Sequence, residues 1–257
     1  MRWAESTMAQ LAAADLPARI GLVPVGATEQ HGPHLPTDTD TRIALALCAA
    51  VEHRRPAETI VLPPITVGSS LGHGTAFPGT LSLFPEELSR ILVRYAEWSA
   101  FSGLTRLLFV NGHMGNATPL ASATDVLRFR RPDLRSSWID WWCADELVAA
   151  LVGADGQDIH ANRAETSVVL HLNPELVDTE AMLAADDPDR TGGLAFRYTA
   201  ESLSTNGVTG APSQATPELG HQIFNLIVDV IDCRVAVALV ESAPVLRSAD
   251  IPRPTWI

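Results

Sequence analysis

Short apolar runs alternate with amphipathic segments along most of this chain. The apolar runs predict strands at residues 20–25, 59–62, 106–110 and 136–140. Apolar positions at helical spacing predict helices at 41–52, 85–102, 165–172 and 218–240, and a further helix that begins near Pro119. Strands that alternate with helices favour a mostly parallel sheet covered on both faces, so we predict an α/β fold.

Two segments need a choice between interpretations. Residues 165–172 fit a helix or a buried strand, and the Thr166-Ser167 pair favours the helix because a buried strand would place both hydroxyls in apolar surroundings. Residues 186–215 are polar and rich in turn-forming residues, which predicts a long surface segment that could cover a site. This segment does not look like a domain linker, and 257 residues fit a single domain spanning 1–257.

Composition limits the partners and the compartment. The formal charge of −12 disfavours binding to nucleic acid or to an anionic membrane. Charged residues make up only 19% of the chain, which favours a homo-oligomer whose contacts remove surface from water. Three isolated cysteines, no basic-then-apolar leader and no run long enough to cross a bilayer together predict a cytoplasmic protein.

The densest chemistry follows the first predicted strand. Six potential metal ligands fall within twelve residues, namely Glu29, Gln30, His31, His34, Asp38 and Asp40. Imidazole and carboxylate groups together suit zinc, manganese or iron. Glu29 and His31 alternate, so in an extended segment their side chains point to the same side. The pattern predicts the first half of a metal site, and hence a hydrolase.

Two later segments supply the second half. His113 lies in a Gly-bounded turn after the third predicted strand, and His160 and Glu165 lie at the start of a helical pattern. Sites in parallel α/β sheets gather at the carboxyl ends of the strands, which would bring Glu29 and His113 together. A two-metal hydrolytic site needs a carboxylate that bridges the ions. The candidates for such a site are Glu29, His31, Asp40, His113, His160 and Glu165.

Each candidate also has a simpler interpretation. Asp38 and Asp40 could cap the helix that follows them, and Glu165 could be a first-turn acid. His113 and His160 could be structural histidines. The combination of three segments nevertheless favours a metal site. Three further histidines lie in helical patterns without nearby acids and are interpreted as non-catalytic: His53, His171 and His221.

The phrases at 26–36, 77–82, 111–116 and 160–167 resemble motifs of the creatininase (creatinine amidohydrolase) family, and the likeness runs from about residue 20 to about residue 225. The resemblance implies a three-layer α/β/α sandwich, a centre of two divalent metal ions (zinc, manganese or iron) and hydrolysis of amide-type C–N bonds. It also implies a homo-oligomer, often a hexamer. In this family Glu29 and His113 would bind one ion, His31 the other, and Asp40 would bridge them. His160 matches a histidine that acts as acid or base near the substrate.

The chain departs from the family at informative positions. Creatininase itself carries a metal-binding glutamate two residues after the histidine that matches His113, and Gly115 stands there instead. Glu165 would therefore complete the second metal site and take part in catalysis. A Gly of the family is replaced by Asn162, which can keep a left-handed backbone and would add a polar group to the pocket. Arg163 could bind a carboxylate or phosphate, or could simply be a solvated arginine.

The primary functional hypothesis is a metal-dependent amidohydrolase that cleaves a cyclic amide or formamide of a small molecule. The alternative is a metallopeptidase that trims a short peptide, as in processing of the mycofactocin precursor. A third hypothesis, an idle binding protein, is disfavoured by the retained ligands. Three tryptophans could line the pocket, although burial in the core is the more common use of such residues: Trp138, Trp141 and Trp142.

Overall fold

A four-stranded parallel sheet forms the centre of the computed structural model, which describes residues 1–242. The strands are β1 (Ile20–Val25), β2 (Thr59–Val61), β3 (Arg106–Asn111) and β4 (Arg135–Asp140). Their order in the sheet is β2-β1-β3-β4, and every neighbouring pair is parallel. All four predicted strands are confirmed.

Helices cover both faces of this sheet. They are α1 (Met8–Ala13), α2 (Thr39–Arg54), α3 (Pro85–Phe101), α4 (Ala117–Arg130), α5 (Glu146–Val152), α6 (Arg163–Leu172), α7 (Thr179–Leu183), α8 (Ala200–Leu203) and α9 (Pro217–Val240). The five predicted helices correspond to α2, α3, α4, α6 and α9. The segment that also fitted a strand is thus helical, while α1, α5, α7 and α8 were not predicted.

Side chains of β1 alternate between two hydrophobic cores. Leu22 packs in one core with Ile43 of α2 and Ile227 of α9. Val23 packs in the other core with Leu92 of α3 and Leu120 of α4. Because successive side chains of a strand point to opposite faces, the sheet lies between two helical layers. The predicted three-layer α/β/α sandwich is confirmed.

The segment at 186–215 is only partly the surface segment that the sequence predicts. Asp187 is 3% exposed and Val208 is fully buried. Val208 packs with Leu35, Val169 and Met182 in a third, smaller hydrophobic cluster. The prediction of a surface segment therefore holds for only part of 186–215, because this cluster holds another part of the segment against α6.

No helix within residues 1–242 is both long and apolar enough to cross a membrane. All three cysteines are free, as their isolated positions predict.

Candidate metal centre

The carboxyl edge of the sheet collects the ionisable residues that the sequence singles out. Glu29 and His31 follow β1, His113 follows β3, and Asp40 and Glu165 lie in the first turns of α2 and α6. Every member of the group exposes 7% or less of its surface: Glu29, His31, Asp40, His113, His160 and Glu165. All six predicted site residues therefore meet in one buried cluster.

Asp40 lies at the centre of this cluster. Its Oδ1 is 3.3 Å from His31 Nε2, and its Oδ2 is 3.5 Å from His113 Nδ1. Glu29 Oε1 lies 3.2 Å from the same nitrogen of His113. One carboxylate thus faces two histidines through its two different oxygens, as a bridging ligand would.

Backbone carbonyls fix the tautomers of both histidines. His31 Nδ1 lies 3.1 Å from the Glu29 carbonyl oxygen, and His113 Nε2 lies 3.1 Å from the Ser69 carbonyl oxygen. A carbonyl can only accept, so each of these nitrogens carries the proton. When the rings are neutral, as in a metal complex, the inner nitrogens that face Asp40 keep their lone pairs. Metal-binding histidines show this arrangement, with the outer N–H donated to a carbonyl or carboxylate.

The unsatisfied atoms of the cluster fit a divalent cation. Glu29 Oε2, His31 Nε2 and Asp40 Oδ2 are buried and have no hydrogen-bond partner among residues 1–242. Two ligands at about 2.1 Å from a tetrahedral ion lie roughly 3.4 Å apart, which is close to the separations around Asp40. His31, Asp40 and Glu165 also form one of the groups whose ligand atoms all lie within 4.8 Å of one another.

The pKa values of the cluster also indicate a site for a cation. Burial alone would lower the pKa of His31, but the Asp40 carboxylate raises it to about 10. Burial would likewise lower the pKa of His113, and Glu29 raises it to about 9. Burial raises the pKa of Glu165 to about 7, with Asp40 and Glu29 adding to the increase. The three buried carboxylates thus favour positive charge between them, which a cation supplies.

Glu165 is held by the start of its own helix. Its Oε2 accepts a hydrogen bond of 2.6 Å from the backbone N–H of Ala161, and its own N–H donates to Asn162 Oδ1 at 3.0 Å. Asn162 is the N-cap of α6, so the helix start positions the carboxylate next to His31 and Asp40.

His160 lies beside the cluster, and its Nε2 is held by a backbone carbonyl. Its Nε2 is 2.7 Å from the Gln30 carbonyl oxygen and therefore donates to it. Its Nδ1 keeps a lone pair and lies 3.6 Å from Glu29 Oε1. Burial, together with the nearby His73 and His31, lowers the pKa of His160 well below its usual value. This ring is therefore neutral at pH 7.

Sequence reasoning missed His73 and named Gln30 only as a potential metal ligand. His73 Nε2 lies 3.2 Å from Glu29 Oε1, and the His73 ring centroid lies 4.2 Å from that of His160. The Gln30 side chain contacts both of these histidines. A histidine between two glycines, at 72 and 74, was the available signal for His73.

Several predictions near the site need correction. Asn162 is extended (φ −78°, ψ −175°), and the positive φ of 49° belongs to Ala161. The Asn162 side chain contacts Val152 O and Asp155 rather than the pocket, because it caps and anchors α6. Arg163 does not line the cavity next to the cluster. These two positions therefore give no support to a new polar contact with substrate.

Asp38 and His34, which the sequence offers as potential metal ligands, contact other residues. Asp38 occupies the N-cap position of α2 without a side-chain cap, and its carboxylate pairs with Arg42 at 2.7 Å. His34 Nε2 lies 2.8 Å from Thr166 Oγ1. Capping does not explain Asp40 either, since its oxygens face the two histidines.

A cavity of about 620 Å³ opens onto the cluster. Trp141 and Trp142 line it, whereas Trp138 packs against the hydrophobic core beneath α3 and α4. The segment at 186–215 also contributes to the walls through Leu194, Phe196, Arg197 and Tyr198, among others. Its predicted position over the site is thus confirmed by the lining of the cavity.

Comparison with known proteins agrees with this geometry. The chain is 39% identical over 215 residues to the mycofactocin precursor peptide peptidase of Mycolicibacterium smegmatis, and this alignment covers 79% of this chain and 78% of that protein. It is 32% identical over 185 residues to creatinine amidohydrolase of Pseudomonas putida, and this alignment covers 66% of this chain and 70% of that protein.

Solved structures of creatininase have the same fold. A form described as "Creatininase Mn" superposes with a TM-score of 0.79 and 27% identity over 93% of this chain and 99% of that one. A mutant described as "Zn-Zn type" superposes with a TM-score of 0.81 and 26% identity over 93% of this chain and 98% of that one. The sequence profile described as "Creatininase: Creatinine amidohydrolase" matches residues 4–232. With most of its length matched in this way, the chain belongs to the creatininase family.

Proposed function

We propose that this protein is a hydrolase with a dinuclear metal centre. Family membership makes it a hydrolase that acts on carbon–nitrogen bonds. Glu29, Asp40 and His113 would hold one cation, and His31, Asp40 and Glu165 would hold the other. The observation that carries the proposal is the position of Asp40, whose two oxygens face the inner nitrogens of two different histidines.

Zinc and manganese are the favoured cations. The descriptions of related creatininase structures name these two metals. A donor set of imidazoles and carboxylates suits both, as it suits iron. When bound, a pair of such cations lowers the pKa of a water molecule and polarises the carbonyl that is attacked.

His160 is the proton carrier of the proposed reaction. Its outer nitrogen is committed to the Gln30 carbonyl, so only Nδ1 can exchange a proton with groups in the cavity. Because the ring is neutral at pH 7, Nδ1 can accept a proton from the attacking water. The resulting imidazolium can return that proton to the leaving nitrogen, which departs as an amine.

We favour a short peptide as the substrate over the small cyclic amide of the primary sequence hypothesis. The relative with 39% identity is a precursor peptide peptidase. The 620 Å³ cavity lies well within the range of sites for molecules larger than a small cyclic amide. Its walls include the exposed side chains of Leu194, Phe196 and Tyr198, which offer apolar surface beyond the metal cluster.

Hydrolysis assays with and without metal test both parts of the proposal. Protein stripped by a chelator should lose turnover of a short peptide panel and regain it on addition of zinc or manganese. Full activity in the stripped protein would contradict the metal mechanism. Turnover of creatinine or formamides, with none of any peptide, would instead support the small-amide hypothesis, which the 32% identity to creatinine amidohydrolase keeps as second candidate.

A further inference from the structure

The Gln30 side chain has a fixed orientation. Its Oε1 accepts a hydrogen bond of 3.0 Å from the backbone N–H of Gly32. Its Nε2 lies 3.1 Å from the Gly207 carbonyl oxygen, which can only accept. An exchange of the amide oxygen and nitrogen would place like groups against each other at both contacts. Gln30 Nε2 is therefore a donor within reach of two histidines.

The amide has two hydrogens and three neighbours. Besides the Gly207 oxygen, Nε2 lies 2.9 Å from His160 Nε2 and 3.2 Å from His73 Nδ1. His160 Nε2 already donates to the Gln30 carbonyl and cannot also accept. The second amide hydrogen therefore goes to His73. As a result His73 Nδ1 is an acceptor, and the ring proton sits on Nε2.

This tautomer separates His73 from the histidines that present lone pairs to the cluster. In their neutral forms His31 and His113 turn unprotonated nitrogens inward, whereas His73 turns an N–H toward Glu29 Oε1 at 3.2 Å. Glu29 is 1% exposed, so water cannot readily replace that donor. A carboxylate that binds a metal is commonly oriented by hydrogen bonds of this kind, and their loss weakens metal binding.

We propose that His73 is a positioning residue that holds the Glu29 carboxylate in its orientation toward the cations, and that Gln30 sets the tautomer of His73. The proposal rests on the proposed function, because Glu29 must be a metal ligand. Glu29, His73 and His113 form a group whose potential ligand atoms lie within 4.8 Å of one another, but the proton on His73 Nε2 excludes that nitrogen as a ligand in this arrangement.

Metal binding by two variants of His73 tests the proposal. His73→Leu removes the donor, and His73→Gln retains an N–H in place of Nε2–H. Competition titration of the full-length protein with Zn²⁺ and a chromophoric chelator should show one zinc bound about 10- to 100-fold more weakly in His73→Leu, with the other affected less. His73→Gln should stay within about threefold of the wild type, and His53→Gln, an exposed histidine of α2, should match it.

Two results would overturn the positioning role. Equal zinc affinity in His73→Leu and wild type would show that the hydrogen bond has no such effect. An equal loss in His73→Leu and His73→Gln, with a changed visible spectrum of the Co²⁺ form, would make His73 a direct ligand. Histidine ¹⁵N NMR of the zinc-loaded wild type needs no variant: it should show His73 protonated on Nε2, and protonation on Nδ1 would contradict the proposal.

Failure of this inference can be separated from failure of the proposed function. Wild-type protein that binds no Zn²⁺ would reject the metal centre itself, whatever the variants do. Wild-type protein that binds two Zn²⁺ ions, with His73→Leu unaffected, would reject only the role of His73.

Discussion

Asp40 is the residue on which the site depends most. Burial and the neighbouring Glu29 raise its pKa, so an ionised Asp40 would be costly without compensating positive charge. Its contacts with His31 and His113 place that compensation on two sides. Cations bound between Asp40 and these two histidines would offset the cost of burying the carboxylate.

Replacing Asp40 by Asn should remove the bridge. The amide keeps the shape but loses the charge and one of the two acceptor atoms, so metal content should fall below two per chain and kcat/KM by at least about a hundredfold. Elemental analysis and peptide hydrolysis measure the two effects. Asp38→Asn is the matched control, because Asp38 pairs with Arg42 outside the cluster. Equal losses in both variants would contradict the bridging role.

His160→Gln should separate chemistry from metal binding. A glutamine can still donate a hydrogen bond but has no basic nitrogen, so kcat should fall roughly 10²- to 10⁴-fold while the metal content stays at the wild-type level. Stopped assays at saturating metal, alongside elemental analysis, provide the comparison. Loss of metal from this variant would identify His160 as a ligand instead of a proton carrier.

The site residues differ in how far the sequence reveals them. Glu29, His31 and Asp40 are close in sequence, and His113 follows an obvious strand, so local pattern and sheet topology suffice. His73 and Gln30 gain their importance from contacts 43 residues apart, which no local pattern encodes. Asn162 was misread because the sequence does not reveal which residue of the turn adopts positive φ.

Among the elements, the segment at 186–215 combines an exposed cavity wall with a buried anchor. Asp187 Oδ2 accepts hydrogen bonds from Ser204 Oγ at 2.9 Å and from the Thr205 N–H at 2.7 Å. Arg190 pairs with its other oxygen at 2.5 Å. These bonds close the chain between the two ends of the exposed stretch, so the Asp187 carboxylate is an anchor of the cavity wall.

The anchor predicts a dependence of stability on pH. Burial would raise the pKa of Asp187, but Arg190 and the donors at 204 and 205 lower it to about 2, below the value of about 3.9 in an unfolded chain. The carboxylate therefore stabilises the fold above about pH 4, and this contribution is lost as the pH falls toward 2. Asp187→Asn should lower the free energy of unfolding at pH 7 by on the order of 2 kcal/mol.

Urea unfolding at several pH values measures this effect. The difference between wild type and Asp187→Asn should narrow as the pH falls below about 4. Asp125→Asn, which removes an exposed carboxylate paired with Arg128 on α4, should change stability by less than about 1 kcal/mol. A difference for Asp187→Asn that is constant from pH 7 to pH 3 would contradict the anchor.

The sequence predicts an element more readily when more of its residues are buried. Strands β1 and β3 are apolar runs buried along nearly their whole length, and they stand out in the sequence. Helix α1 has no buried residue, so it lacks an apolar periodicity and shows only the Thr7–Gln10 capping box. Helix α5 has the N-cap Asp145 but only two buried residues. Short elements held by caps are therefore the ones that hydrophobic pattern misses.

At the scale of the whole molecule, α3 presents an exposed aromatic surface that is suited to contacts between subunits. Trp98 is 71% exposed and Phe101 is 74% exposed, and their rings contact each other on α3. Exposed aromatic patches of this kind commonly mark protein contacts. We propose that they belong to an interface of a homo-oligomer, for which a hexamer is the expected form from family resemblance.

Light scattering tests that proposal. The wild type should have a mass that is a multiple of the 27.6 kDa chain, and Trp98→Glu should shift it toward the single chain without loss of zinc binding. A wild type that stays at the mass of one chain at all concentrations would contradict the oligomer.

Part of the formal charge of −12 comes from Glu29, Asp40 and Glu165, whose buried negative charge would be balanced by bound cations.

The most direct test of the metal centre is a crystal structure of the zinc-loaded wild type with anomalous diffraction at the zinc edge. Two anomalous peaks should flank Asp40, one next to His113 and one next to His31. Diffraction that shows no zinc at Asp40, from protein loaded with excess metal, would contradict the central claim.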